Sequence, residues 1–168
     1  MKKICLIFVI ITINTSNLTA QNNVLTAFLL KWENSKNYLV ELAEAMPEDL
    51  YNYKPTERQM SFQEQLIHIK GNMDWLSSTY FKGEKLEKTA AKSKEEIINQ
   101  LTASFDNVAE IIKNVPLEEL STEVEFFAGP KSKLQILNLL QDHVTHHRGQ
   151  LIVYLNLNTI EPPKYRGW

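Results

Sequence analysis

An all-α four-helix bundle is the fold class this chain predicts, and three observations carry it. From Asn22 onward, apolar residues recur at three- and four-residue spacing in four segments of roughly twenty residues each. Three of the segments open on the same serine-led cap signal. The 5 glycines and 6 prolines of the 168-residue chain sit mainly between the segments. Amphipathic segments of this kind bury their stripes only against one another, and no internal repeat or low-complexity segment competes with that solution.

The first segment runs from about Val24 to Ala45, with Leu25, Phe28, Leu29, Trp32, Leu39 and Leu42 on its stripe, and Pro47 ends it. After a linker holding Tyr51, Tyr53 and Pro55, the run Ser61-Phe62-Gln63-Glu64 reads as a capping box for a second helix reaching about Tyr80. A polar connection from Lys82 to Lys92 follows. Ser93-Lys94-Glu95-Glu96 then repeats the cap signal for a third helix, whose stripe Ile97, Leu101, Phe105, Val108, Ile111, Ile112 and Val115 stops at Pro116. The stretch Glu123 to Phe127 alternates briefly before Gly129-Pro130 and reads as a short strand or a packed loop. Ser132-Lys133-Leu134-Gln135 opens the last helix, which carries Leu137, Leu140, Val144, Leu151 and Leu155 and runs to about Leu157. The proline-bearing tail from Glu161 to Trp168 is not helical in character.

Residues 1–20 stand apart from this domain. Lys2 and Lys3 precede an almost unbroken apolar run from Ile4 to Ile13, and Leu18-Thr19-Ala20 ends the stretch before Gln21. A basic start, an apolar run of about ten residues and a small final residue form the pattern of a cleaved secretory signal, too short for a transmembrane helix of ~20 residues. Cys5 lies early in the run, away from any lipid-attachment position. Cleavage after Ala20 leaves a domain of 148 residues, 21–168, without cysteine and with 16 Lys+Arg against 20 Asp+Glu, a net charge of −4. That composition excludes disulfide staples, thiolate ligands and a cysteine nucleophile. It also gives no basic field for nucleic acid. The expectation is a secreted or periplasmic domain with no membrane span after signal cleavage.

Chemistry is sought among the 4 histidines, which are unevenly placed: His68 in the second helix, and His143, His146 and His147 in the fourth. The i, i+4 spacing of His143 and His147 puts both rings on one face, one turn apart, where two nitrogens can converge on an ion. At roughly 100° per residue they share a sector with Ile136, Leu140, Leu151 and Tyr154, so the pair faces the bundle interior. Buried there, two neutral imidazoles need partners, and either a metal or bonds to backbone or to each other supplies them. His68 lies roughly 120° from its helix's apolar stripe, beside Gln65, Asn72 and Trp75. An edge position suits the mouth of a groove and equally suits a solvated ring. His146, roughly 60° off His143, is expected at the surface or behind the pair.

Other metal patterns fail at these positions. A carboxylate-bridged di-iron bundle needs Glu three residues before its histidines, where Gln65, Leu140 and Val144 stand. Val144 also occupies the place of the catalytic glutamate in the His-Glu-x-x-His zinc-protease pattern. Glu64 precedes His68 by one turn and could orient its ring, although the capping box already accounts for it.

The run from His143 through His146-His147-Arg148-Gly149-Gln150, with Tyr154-Leu155 and then Pro162-Pro163, resembles the last-helix signature of the DinB-like (DinB/YfiT) superfamily. The resemblance implies a four-helix bundle of the DinB/YfiT-like type, often a homodimer. It implies a divalent metal such as zinc or nickel, held by His143, His147 and a second-helix histidine matched by His68 in Gln65-Leu66-Ile67-His68-Ile69. Arg148, Gly149 and Gln150 match family positions read as packing or ligand-orienting. Two departures stand out. Family members often carry glycine in the turn before the two prolines, whereas Asn158-Thr159-Ile160 has none, so that turn is expected to differ. The low-molecular-weight thiols used by members with known activity belong to the cytoplasm, whereas this chain reads as exported.

Three imidazoles without a fourth protein ligand leave one coordination position open, as in catalytic sites. The expectation is a metal-dependent hydrolase or group transferase for a small molecule in the groove between the second and fourth helices. Metal affinity is expected to fall below about pH 6, since ligation needs neutral rings. The alternative is a non-catalytic metal- or ligand-binding stress protein. A weaker reading makes Trp75, Tyr80, Phe126, Phe127 and Trp168 an interaction surface.

Overall fold

The computed structural model describes residues 2–84 and 93–168, with side chains from Val24 onward. The side chains of the segment read as a signal, Cys5 among them, and most of the Lys82 to Lys92 connection lie outside the described residues. Among the described residues there are four long helices: α1 (Lys2–Ala45), α2 (Phe62–Tyr80), α3 (Lys94–Lys113) and α4 (Lys133–Leu157). Short 3-10 turns at Glu48–Leu50 and Leu117–Ser121 punctuate the connections. A two-residue antiparallel pair, β1 (Glu123–Val124) with β2 (Lys131–Ser132), precedes α4 in the register Glu123 to Ser132. Among the described residues no helix is long and apolar enough to cross a membrane.

The helices start where their side chains satisfy the first free N–H groups. Ser61 Oγ accepts from Glu64 N–H at 3.2 Å while the Ser61 N–H donates to Glu64 Oε2 at 2.6 Å. Ser132 and Gln135 repeat this reciprocal pair at 3.2 and 2.8 Å, and Ser93 Oγ accepts from Glu96 N–H at 3.2 Å. Glu64 also meets Lys54 at 3.2 Å, and its carboxyl is lowered first by the Ser61 backbone bond and then by Lys54. The cap therefore accounts for Glu64.

Cross-helix bonds give the directions. Trp32 Nε1 donates to Phe105 O at 3.0 Å, and Lys94 Nζ donates to Glu44 O and Met46 O, both at 2.7 Å, so α1 and α3 are antiparallel. Ser104 donates to Asp74 at 2.8 Å and Gly83, just past the end of α2, lies against Ile111 near the end of α3, so these two helices run parallel. Gln65 reaches Gln150 while His68 reaches His143, which makes α2 and α4 antiparallel. The main packing pairs are α2 with α3, α1 with α3, α2 with α4 and α1 with α4. Around the bundle the order is therefore α1, α3, α2, α4, with a core of Trp32, Leu39, Leu42, Phe62, Leu66, Phe105 and their neighbours fully enclosed.

The end of α4 closes without a glycine. The Ile160 N–H bonds to Leu155 O at 3.0 Å and the Thr159 N–H to Asn156 O at 3.1 Å, the two bonds of a Schellman stop. Thr159 itself adopts φ 58°, the left-handed position a glycine takes at no steric cost. The turn is closed without the residue type best suited to it. Beyond it the tail lies on α1: Asn34 Nδ2 donates to Trp168 O at 2.6 Å and Arg166 meets Glu41 at 2.8 Å.

Candidate metal centre

Antiparallel packing of α2 on α4 sets His68 opposite His143, and Gln65 opposite His147 and Gln150. One potential ligand atom from each of His68, His143 and His147 lies within 4.8 Å of the other two. The ring centroids are 4.9 Å apart for His68 and His143, 4.6 Å for His68 and His147, and 4.5 Å for His143 and His147. The three rings differ in depth. His147 is buried at 7% exposure, His143 is half-buried and His68 is exposed, so the cluster opens at the edge of α2.

A chain of polar bonds sets the tautomer of His147. Tyr154 donates its phenolic proton to Met60 O at 2.8 Å, so its oxygen faces Gln65 as an acceptor. That places the Gln65 amide nitrogen toward Tyr154 at 3.4 Å and Gln150 Oε1 at 2.5 Å. Gln65 Oε1 is left to accept from His147 Nδ1 at 2.6 Å. With its proton held on Nδ1, His147 presents a lone pair at Nε2. Gln150 closes the chain by donating to His146 Nε2 at 2.9 Å.

His143 Nε2 and His68 Nε2 stand 3.0 Å apart. Two lone pairs at that separation repel unless a proton or a cation lies between them. Two imidazoles on one tetrahedral zinc, with Zn–N near 2.0–2.1 Å, hold their nitrogens roughly 3.3 Å apart, so the pair fits one ion with little adjustment. Nδ1 of His143 is buried with no hydrogen-bond partner. Burial, then the neighbouring His147 and His68 rings, push His143 down from 6.5 to about 4. Burial, then His68 and His146, do the same for His147, also to about 4. Both rings are thus neutral and ready to ligate at neutral pH, and proton competition at these two sets in lower than the about pH 6 read from an ordinary histidine.

The structure brings together all three histidines singled out as ligands and leaves His146 exposed beside them, its ring 4.9 Å from that of His147. Arg148 does not face the cluster. At 4% exposure its guanidinium lies 5.0 Å over the Tyr38 ring and donates to Ser35 at 3.3 Å, tying α4 to α1. Gly149 is exposed, and Gln150 serves the polar chain. Gln65 was legible only as a polar residue on the His68 side. Its role as the fully buried acceptor for His147 needs the position of α4.

The chain matches the DinB family over residues 18–166. It belongs to that family. A relative in Bacillus subtilis strain 168, the uncharacterized protein YjoA, is 27% identical over 152 residues, covering 87% of this chain and 97% of the relative. The crystal structure of that DinB-like protein superposes with a TM-score of 0.73 at 24% identity, covering 84% of this chain and 99% of the other. A DinB-like protein from Bacillus cereus ATCC 10987 gives 0.71 at 19% identity over 82% and 95% of the two chains. A conserved protein from Enterococcus faecalis gives 0.54 at 16% over 83% and 95%. These structures establish that this DinB-family chain shares their fold.

Proposed function

We propose that this DinB-family chain is an exported metal-dependent enzyme, a hydrolase or group transferase for a small molecule, holding one divalent ion, zinc or nickel, through His68, His143 and His147. The observation that carries the reading is the convergence of three imidazoles from two helices within 4.8 Å. Nitrogen donors of this kind suit zinc and nickel. Three protein ligands leave a fourth position for a water or a substrate atom, and exposed His68 puts that position within reach of the α2 and α4 groove. Among the described residues the cluster contains no carboxylate, so its donors are neutral and leave the full charge of a divalent ion available to the substrate. When bound, such an ion supplies Lewis acidity to a water, carbonyl or thiolate at the open position. Gln65 meanwhile keeps the His147 proton on Nδ1, and the apolar surroundings keep both α4 rings neutral.

Metal analysis of untagged protein by mass spectrometry tests the site. About one divalent ion per chain, lost in His143→Ala and His147→Ala, is expected. Wild-type protein that neither carries metal nor gains thermal stability from added zinc or nickel would return the histidines to a structural role. Export rests on the basic and apolar pattern of residues 1–20 and is checked separately. Protein recovered outside the cytoplasm is expected to begin at Gln21, and an intact Met1 start in the cytoplasm would reject it.

A further inference from the structure

Four aromatic side chains gather where the C-terminal end of α2 meets the turn between β1 and β2. Trp75 lies 6.2 Å from Phe126 and 6.4 Å from Phe127, with its plane within 27° and 30° of theirs. Phe126 and Phe127 are 4.3 Å apart, and Tyr80 sits 6.2 Å from Trp75 and 6.1 Å from Phe126. This is not core. Trp75 is 39% exposed and Phe127 85%. The turn that carries Phe127 is pinned: the Gly129 N–H bonds back to Phe126 O at 3.0 Å with Gly129 at φ 88°. Lys131 Nζ also donates to the carbonyls of Ala128, Gly129 and Pro130 at 3.1 to 3.2 Å. Trp168, read with this group from the sequence, packs instead on Tyr165, 5.8 Å away.

The position of this wall decides what it serves. Trp75 follows His68 by seven residues, two turns along the same face and roughly 10 Å down the axis. Asn72 lies between them on that face, half-buried. One strip of α2 therefore runs from an exposed metal-site histidine, past half-buried Asn72, to an aromatic surface. Tyr80 and Phe126 are already half-covered, so the free apolar area is far below the roughly 800 Å² per partner of a stable protein interface. Trp75 and Phe127 supply most of what it leaves exposed.

We infer that Trp75 and Phe127 form the apolar subsite of the histidine centre, taking the aromatic or apolar group of a small amphiphilic molecule whose coordinating head reaches the ion. The inference rests on the metal-centre reading above. It makes the substrate class a molecule with a metal-binding group and a ring separated by roughly 10 Å, the spacing of the two features along the helix.

Zinc-loaded full protein, titrated with acetohydroxamate and with ω-phenyl alkanohydroxamates of increasing chain length, tests it. In the wild type the ring is expected to improve binding at least tenfold at one intermediate chain length. Trp75→Ala and Phe127→Ala, both at exposed positions, are expected to lose that gain while keeping their zinc content and their affinity for acetohydroxamate. A gain that does not depend on chain length, or that survives in both variants, overturns the subsite and leaves the metal centre standing. Absence of zinc and of acetohydroxamate binding in the wild type is a distinct result that removes both. Wild type sedimenting as a dimer that Phe127→Ala converts to monomer would make the wall a contact between copies and also overturn the proposal.

Discussion

The His147 proton sits on Nδ1 because Gln65 Oε1 accepts it at 2.6 Å, and Gln65 is oriented in turn by Tyr154 and Gln150. Gln65→Met keeps the volume and removes the acceptor. Partners that orient a ligating histidine typically contribute 10- to 100-fold in metal affinity, so a loss in that range is expected by calorimetric titration with the helix content unchanged. Unchanged affinity would show that the tautomer is set elsewhere. Protons act on the same two rings. His143 and His147 fall from 6.5 to about 4 on folding, so between those values the unfolded chain binds more protons than the folded one. Their neutral burial is fully compatible with folding above about pH 6.5, and metal-free protein is expected to lose stability as the pH falls from there toward 4. Thermal unfolding across that window should be flatter in His143→Gln, and an identical slope would assign the loss to other groups. The His143 and His147 pair was legible in advance because i, i+4 spacing is local, and His68 joined it only through the family resemblance, whereas Gln65 was not legible, because its meaning depends on a helix 82 residues away.

Helix starts were legible for the same reason, since a serine cap and the backbone N–H that donates to it lie three residues apart. Ser61, Ser93 and Ser132 each cap a helix as expected. The alternating stretch Glu123 to Phe127 resolves into both of its readings: only Glu123–Val124 pairs as strand, and the two phenylalanines sit in the turn. The stop of α4 carries no glycine, and Thr159 at φ 58° completes its two-bond closure. A β-branched residue held in the left-handed region costs about 1–2 kcal/mol, while glycine adds about 0.5–1 kcal/mol of unfolded-state entropy. Thr159→Gly is therefore expected to stabilise the protein by roughly 1 kcal/mol. Denaturant unfolding measures it, with zinc content unchanged, and a destabilised variant would mean that the Thr159 side chain makes contacts that outweigh its backbone conformation.

Four helices follow from periodicity, but their order around the bundle does not, because every stripe is apolar and any pair could in principle meet. The order α1, α3, α2, α4 is set by long-range contacts such as Trp32 to Phe105 and Gln65 to Gln150, separated by 73 and 85 residues. It is also what puts α2 beside α4 and makes a shared centre possible. An ion at that centre ties together residues 75 positions apart, which the unfolded chain cannot hold in place. Binding to the folded state alone stabilises by about 2.7 kcal/mol at a free metal concentration 100-fold above Kd. For a domain of this size about 1 kcal/mol moves the midpoint by roughly 2–4 °C, so zinc at that excess is expected to raise Tm by about 5–10 °C. The rise should vanish in His147→Ala and shrink in His68→Ala. His147→Ala itself opens space on the buried face of α4, so the comparison is made within each variant, with and without metal. A zinc-dependent rise of the same size in His147→Ala would place the stabilising ion outside the groove between α2 and α4.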